Sequence, residues 1–135
     1  MSRYCLDTSA YSHFKRGESQ VVDLIDAADW LGVPSIVLGE LRTGFLLGGR
    51  VDRNEAELHE FLLNPIVEEL VVDGDVSQVY AEIVSALRRA GTPLPTNDIW
   101  IAATAACAGA PVLTYDPHFH HIARVGSIVL TALPE

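Results

Sequence analysis

Four acids in this sequence stand where acids do chemistry: Asp7, Glu40, Asp98 and Asp116. Asp7 directly follows the apolar run Tyr4-Cys5-Leu6, and Asp116 follows Val112-Leu113-Thr114 at a distance of two residues. Asp98 is bracketed by Asn97 and the apolar run beginning Ile99-Trp100-Ile101. Glu40 lies about one turn into a helical segment, on the face it shares with Ile36 and Gly44. Carboxylates at the boundary of apolar sequence are usually paired or metal-bound. If three or four of these converge, they cannot all stay ionised without a cation. An all-oxygen donor set then selects a hard ion, Mg²⁺ or Mn²⁺, over zinc. Such an ion activates water for attack on a phosphodiester and stabilises the leaving oxygen. Each acid taken alone has a simpler reading: a helix cap, a charge favoured at a helix N-terminus, or a solvated side chain.

The elements that must position them alternate between short apolar runs and longer helical patterns. Strands are expected at Tyr4–Leu6, Leu31–Val33, near residues 69–72, at Pro111–Tyr115 and at Ser127–Leu130. Helices are expected from Thr8 or Ser9 to Gly17, from Val21 to Trp30, and from Ser35 to about Leu47. Asp52-Arg53-Asn54-Glu55 reads as a capping box opening a helix that ends before Asn64-Pro65. Asp75 and Gln78 read as a second, opening a helix to Ala90. Thr96 or Asn97 caps an Ala-rich helix to Ala108, and Asp116-Pro117 opens a short one. Strands separated by helices imply an α/β fold with a mostly parallel sheet covered on both faces. In an open parallel sheet, ligands bind beyond the carboxyl ends of the strands. That rule puts Asp7 and Asp116 on one edge. It does not by itself bring Asp98 there, which needs a crossover from the preceding helix.

With these motifs in view, the chain resembles the PIN-domain ribonucleases, and among them the VapC-type toxins of prokaryotic toxin–antitoxin pairs. The resemblance rests on Leu6-Asp7-Thr8-Ser9-Ala10, Gly39-Glu40-Leu41-Arg42-Thr43-Gly44, Asn97-Asp98-Ile99-Trp100-Ile101-Ala102-Ala103 and Leu113-Thr114-Tyr115-Asp116-Pro117-His118-Phe119, in that order. It implies a single domain over residues 1–135 and a three-layer α/β/α sandwich. It also supplies the crossover that places Asp98. It implies a catalytic Mg²⁺ or Mn²⁺ site made of Asp7, Glu40, Asp98 and Asp116, cutting RNA to a 5′-phosphate and a 3′-hydroxyl. Ser9 and Thr114 match positions that hydrogen-bond the carboxylates or water, and Asn97 matches a position often polar in the family. Partners implied are an RNA substrate and a VapB-type antitoxin, with a homodimer and larger assemblies on antitoxin binding.

Two other enzyme classes and one non-enzyme compete with this reading. Haloacid-dehalogenase-type phosphatases carry a second Asp two residues after the first, where this chain has Ser9, and need a late Lys, whereas Lys15 is the only lysine. A receiver domain lacks the same lysine. A catalytically silent PIN-like binding module is disfavoured by the presence of all four acids.

Other residues are weighed against plain packing or solvation. Arg42, two residues after Glu40, and Lys15 are candidates to hold substrate phosphate. His118, His120 and His121 are expected at the surface, with their rings on different faces. Phe45, Leu46, Leu47, Leu58, Phe61 and Leu62 are expected mostly in the core.

Nine basic and eighteen acidic residues give a formal net charge of −9, which disfavours broad coating of a polyanion. The charge is uneven, however. Residues 51–95 hold nine of the acids and three of the bases, while the four site acids lie outside that segment. A narrow metal-dependent site with a basic partner segment survives this constraint. No apolar run approaches the roughly 18–20 residues of a membrane span, and the start does not read as a signal peptide. Cys5 and Cys107 sit in apolar runs and are expected as buried, reduced thiols of a cytoplasmic protein.

Overall fold

The computed structural model describes residues 1–132. Its five strands are β1 (Arg3–Leu6), β2 (Trp30–Pro34), β3 (Val67–Leu70), β4 (Val112–Thr114) and β5 (Ser127–Val129). The helices are α1 (Thr8–Lys15), α2 (Ser19–Asp26), α3 (Ser35–Leu47), α4 (Val51–Leu62), α5 (Gly74–Ala90) and α6 (Thr96–Ala108). A 3-10 helix, Pro117–His121, joins β4 to β5. The sheet order is β3-β2-β1-β4-β5, and every neighbouring pair is parallel. β1 is central, so its side chains are buried on both faces and read as a continuous apolar run.

The order reverses at β1, where the chain leaves toward β2 and β3 and returns to β4. Right-handed crossovers therefore put α1 to α4 on one face and α5 and α6 on the other. The packing agrees: α1 meets α2 and α3, α3 meets α4, and α5 lies along α6. The expected three-layer α/β/α sandwich is the observed one. Its core holds Leu6, Leu31, Val33 and Leu113 from the strands, Val37 and Leu58 from one helical layer, and Ile83 and Ile101 from the other.

Several boundaries differ from expectation for local reasons. Trp30 belongs to β2, its ring lying under the Arg3 guanidinium and its indole N–H donating to Glu68 at 3.0 Å. It also closes over Gly32, where a Cβ would sit 2.5 Å from the indole ring, so that strand position needs glycine. β3 is shifted from 69–72 to Val67–Leu70, because Leu31 to Pro34 pair with those residues. Asp52 and Glu55 lie inside α4, whose N-cap is Arg50. Asp73, not Asp75, caps α5, accepting from the Val76 amide at 3.0 Å. Pro95 stands at the N-cap of α6, so neither Thr96 nor Asn97 caps that helix.

Two expectations of burial fail. Leu46 and Leu47 are 72% and 85% exposed, while Leu58 is fully buried and Phe61 packs against Tyr11 with ring centroids 5.2 Å apart. Cys5 is buried, with its thiol pushed up to about 12 by burial and by Asp7, but Cys107 is exposed. Among the described residues no helix is long and apolar enough to cross a membrane.

Candidate active site

The four acids meet at the carboxyl edge of the sheet. Asp7 follows β1 directly and caps α1, and Asp116 follows β4 and caps the 3-10 helix. Glu40 sits in the second turn of α3, the helix that follows β2. α6 ends at Gly109, whose φ of +69° turns the chain sharply into β4. α6 therefore runs antiparallel to β4, and its N-terminus, with Asp98, stands at the carboxyl edge. Asp7, Glu40, Asp98 and Asp116 line one groove of about 350 Å³, together with Thr8, Ser9 and Arg16.

Neutral groups hold the acids in place. Asp7 is only 4% exposed, and burial pushes its carboxyl up despite hydrogen bonds from Thr114, Ala10 and Ser9. The Ser9 hydroxyl donates to Oδ1 at 2.7 Å, and the Ala10 amide donates to the same oxygen at 2.9 Å. The Thr114 hydroxyl donates to Oδ2 and accepts from the Asp116 amide at 2.9 Å. One threonine, 107 positions from Asp7 in sequence, thus ties Asp7 to Asp116. Glu40 receives the Thr8 hydroxyl at 2.7 Å on Oε1 and the Asn97 side-chain amide at 3.4 Å on Oε2. Burial, followed by the charges of Asp116, Glu40 and Asp7, raises Asp98 to about 6, partly countered by His118.

The donor set is all oxygen, and none of the four acids pairs with a Lys or Arg among the described residues. Apart from His118 beside Asp116, no described basic group relieves their mutual repulsion, which a hard divalent cation would relieve. Among the described residues no three His, Cys, Asp or Glu side chains lie close enough together to hold a metal ion as they stand. The acids line an open groove, which leaves room for water and substrate beside an ion.

A PIN-domain family model matches residues 4–125. This chain belongs to the PIN-domain family. Ribonuclease VapC4 of Mycobacterium tuberculosis is 41% identical over 88 residues, 65% of this chain and 67% of its own. Ribonuclease VapC5 of the same organism is 31% identical over 123 residues, 91% of this chain and 90% of its own. Among solved structures, VapBC-5 from Mycobacterium tuberculosis, of the VapBC family of toxin–antitoxin systems, superposes with a TM-score of 0.74. It is 28% identical, and the match covers 96% of this chain and 100% of that one.

In this PIN domain the proposed phosphate contacts fall differently from expectation. Arg42 pairs with Glu55 at 3.1 Å and Lys15 with Glu57 at 3.5 Å, and neither lines the carboxylate groove. Arg16 does line it, with no ion-pair partner among the described residues. The helical spacing of Ser9, Ser12 or His13, and Arg16 carried that signal, since those residues share a face of α1. Thr8 was also missed as the partner of Glu40. His118 is not a bare surface residue: its Nδ1 lies 3.0 Å from Asp116 Oδ1. His120 Nδ1 lies 3.3 Å from the Ser127 hydroxyl, and His121 borders a cavity between α5 and residues 121–124.

Proposed function

We propose that this chain is a divalent-metal-dependent endoribonuclease, the toxin of a VapBC-type pair. One observation carries the reading: four carboxylates from four separate stretches of sequence line a single groove at the switch point of a parallel sheet. The family and the ribonuclease names of the sequence relatives support it.

Asp7, Asp98 and Asp116 would hold Mg²⁺ or Mn²⁺, with Glu40 completing the donor set or orienting the attacking water. When bound, the ion supplies charge neutralisation at the phosphodiester and activation of water. The chain's own residues supply the alignment. Ser9 and Thr114 fix both oxygens of Asp7, so that its lone pairs face the groove in one orientation. Thr8 and Asn97 do the same for Glu40. Arg16 offers a planar fork to a backbone phosphate of the RNA. A groove of four acids repels phosphate without an ion, and it attracts a basic segment. The antitoxin is accordingly expected to place an Arg or Lys there, and the pair to assemble in the cytoplasm.

The decisive experiment incubates the purified chain with RNA and Mn²⁺ or Mg²⁺, with and without EDTA, beside Asp7→Asn. Cutting that needs the metal and is lost in the variant is expected. Equal cutting by the variant, or cutting in EDTA, would overturn the assignment.

A further inference from the structure

His13 and Tyr115 form a stacked pair beside the groove, with ring centroids 3.8 Å apart and planes 14° from parallel. Ser9 fastens both to the active-site acid. Its carbonyl is bonded to His13 Nδ1 at 2.8 Å, its hydroxyl accepts the Tyr115 amide at 3.0 Å, and that same hydroxyl donates to Asp7. A carbonyl can only accept, so Nδ1 carries a proton and donates it to this bond. The pair is thus indexed to Asp7 through one residue.

The same two side chains line a second cavity of about 290 Å³, completed by Pro117, Val129, Leu130 and Thr131. His13 borders both this cavity and the carboxylate groove, so the two are contiguous along one side chain. The walls are mainly apolar and aromatic. The Tyr115 hydroxyl is the one buried side-chain polar atom without a hydrogen-bond partner among the described residues.

We propose that this cavity is a nucleobase subsite of the nuclease, in which one unstacked base of a single-stranded RNA lies against the His13–Tyr115 pair while the adjoining phosphate enters the carboxylate groove. It rests on the reading of that groove as an RNA-cleaving site. Three features fit a base. Single-stranded RNA is recognised by stacking its unpaired bases on aromatic side chains. His13, which borders both the cavity and the groove, gives the site a ring nitrogen, Nε2, for a base edge. The fastening through Ser9 holds the platform at a fixed offset from the reacting centre, which is what selection of one nucleotide beside the cut requires.

The test places 2-aminopurine at each position in turn of a short single-stranded RNA and follows its fluorescence on binding in Mg²⁺, in an Asp98→Asn background. In parallel, the unmodified chain cuts a randomised RNA pool in Mn²⁺, and sequencing of the new ends gives nucleotide preference around the cut. One position is expected to be quenched on binding. Tyr115→Ala and His13→Ala are expected to abolish that quench and weaken binding about 5- to 100-fold. They should also flatten the preference at one nucleotide next to the cut. Tyr115→Phe keeps the ring, and is expected to keep both the quench and the base preference. No quench at any position, or a quench and a cutting profile unchanged in both alanine variants, would overturn the subsite. Quench without cutting of any RNA would retain the subsite and reject the nuclease, while cutting without quench would do the reverse. A merely structural pair would lower the melting midpoint of the alanine variants and leave the nucleotide preference intact, which also overturns the subsite.

Discussion

Two sets of carboxylates in this molecule behave oppositely. On the outer helices of the two opposite faces, Glu57 of α4 and Glu82 of α5 are paired with Arg53, Lys15 and Arg124, and hydrogen bonds from Arg53 and Arg124 hold their carboxyls below the usual range. In the groove, Asp7 and Asp98 are held above it by burial and by neighbouring carboxylates, Asp116 foremost. The titrating group is a carboxyl in both sets. What differs is burial first, and then the partner. Flank acids meet guanidinium or ammonium groups, whereas groove acids meet only hydroxyls, amides and each other, with His118 alone beside Asp116. A carboxylate cluster left without its own cations is a place prepared for a cation from outside.

The largest test of that contrast is removal of a groove acid. Asp7→Asn and Asp98→Asn should each lower the RNA cleavage rate by at least about 100-fold, the scale of a single preorganised charge at a reacting centre. Far-ultraviolet circular dichroism should stay unchanged. Glu57→Gln and Glu82→Gln should leave the rate as it is, and a comparable loss in either would erase the distinction between the two sets.

Metal should discriminate next. A ligand at 100 times its Kd stabilises a fold by about 2.7 kcal/mol, so saturating Mn²⁺ should raise the melting midpoint by several degrees. Asp7→Asn should abolish that rise and Glu57→Gln should not. A midpoint indifferent to Mn²⁺ would remove the cation from the account.

Arginine position separates the regions a third way. Arg16→Ala should raise KM for RNA about 10-fold with kcat little changed, as expected for loss of one charge-assisted phosphate contact. Arg42→Ala, already occupied by Glu55, should change KM less than twofold, within the roughly 0.5 kcal/mol of most surface substitutions.

The smallest expected effect is on stability against pH. Asp98 binds its proton more tightly folded, at about 6, than its ordinary 3.8. Between those values the metal-free native state holds more protons than the unfolded one, so this group's contribution to stability falls as pH rises through that window. Asp98→Asn should therefore match the native protein near pH 4 and melt a few degrees higher above pH 6, without metal. A lower midpoint for the variant at pH 7 would contradict the repulsion.

Much of this site is legible in the sequence, for a physical reason. A parallel sheet makes edge position follow from sequence order, so an acid just after a strand must lie at the carboxyl edge, as Asp7 and Asp116 do. Asp98 was harder. Topology alone left it unplaced because the decisive fact is the tight left-handed turn at Gly109, which forces α6 antiparallel to β4. Caps were read poorly where the sequence offered two acids close together, as at Asp73 and Asp75. Which one caps depends on where the preceding strand lets go, and β3 ends at Leu70. Arg42 and Arg16 are alike in sequence proximity to an acid. Only the packing of α3 against α4 shows that Glu55 reaches Arg42 first.

β4 comes late in the sequence, after α6, and it slots between β1 and β5. With it arrive Asp116 and the Thr114 hydroxyl that clamps Asp7. A chain still emerging from the ribosome, complete only through α6, carries three of the four acids but not the clamp that aligns the first of them. Destructive power is therefore withheld from the growing chain until the final crossover closes. A protease nick that frees β4 would take away Asp116 and the alignment of Asp7 together.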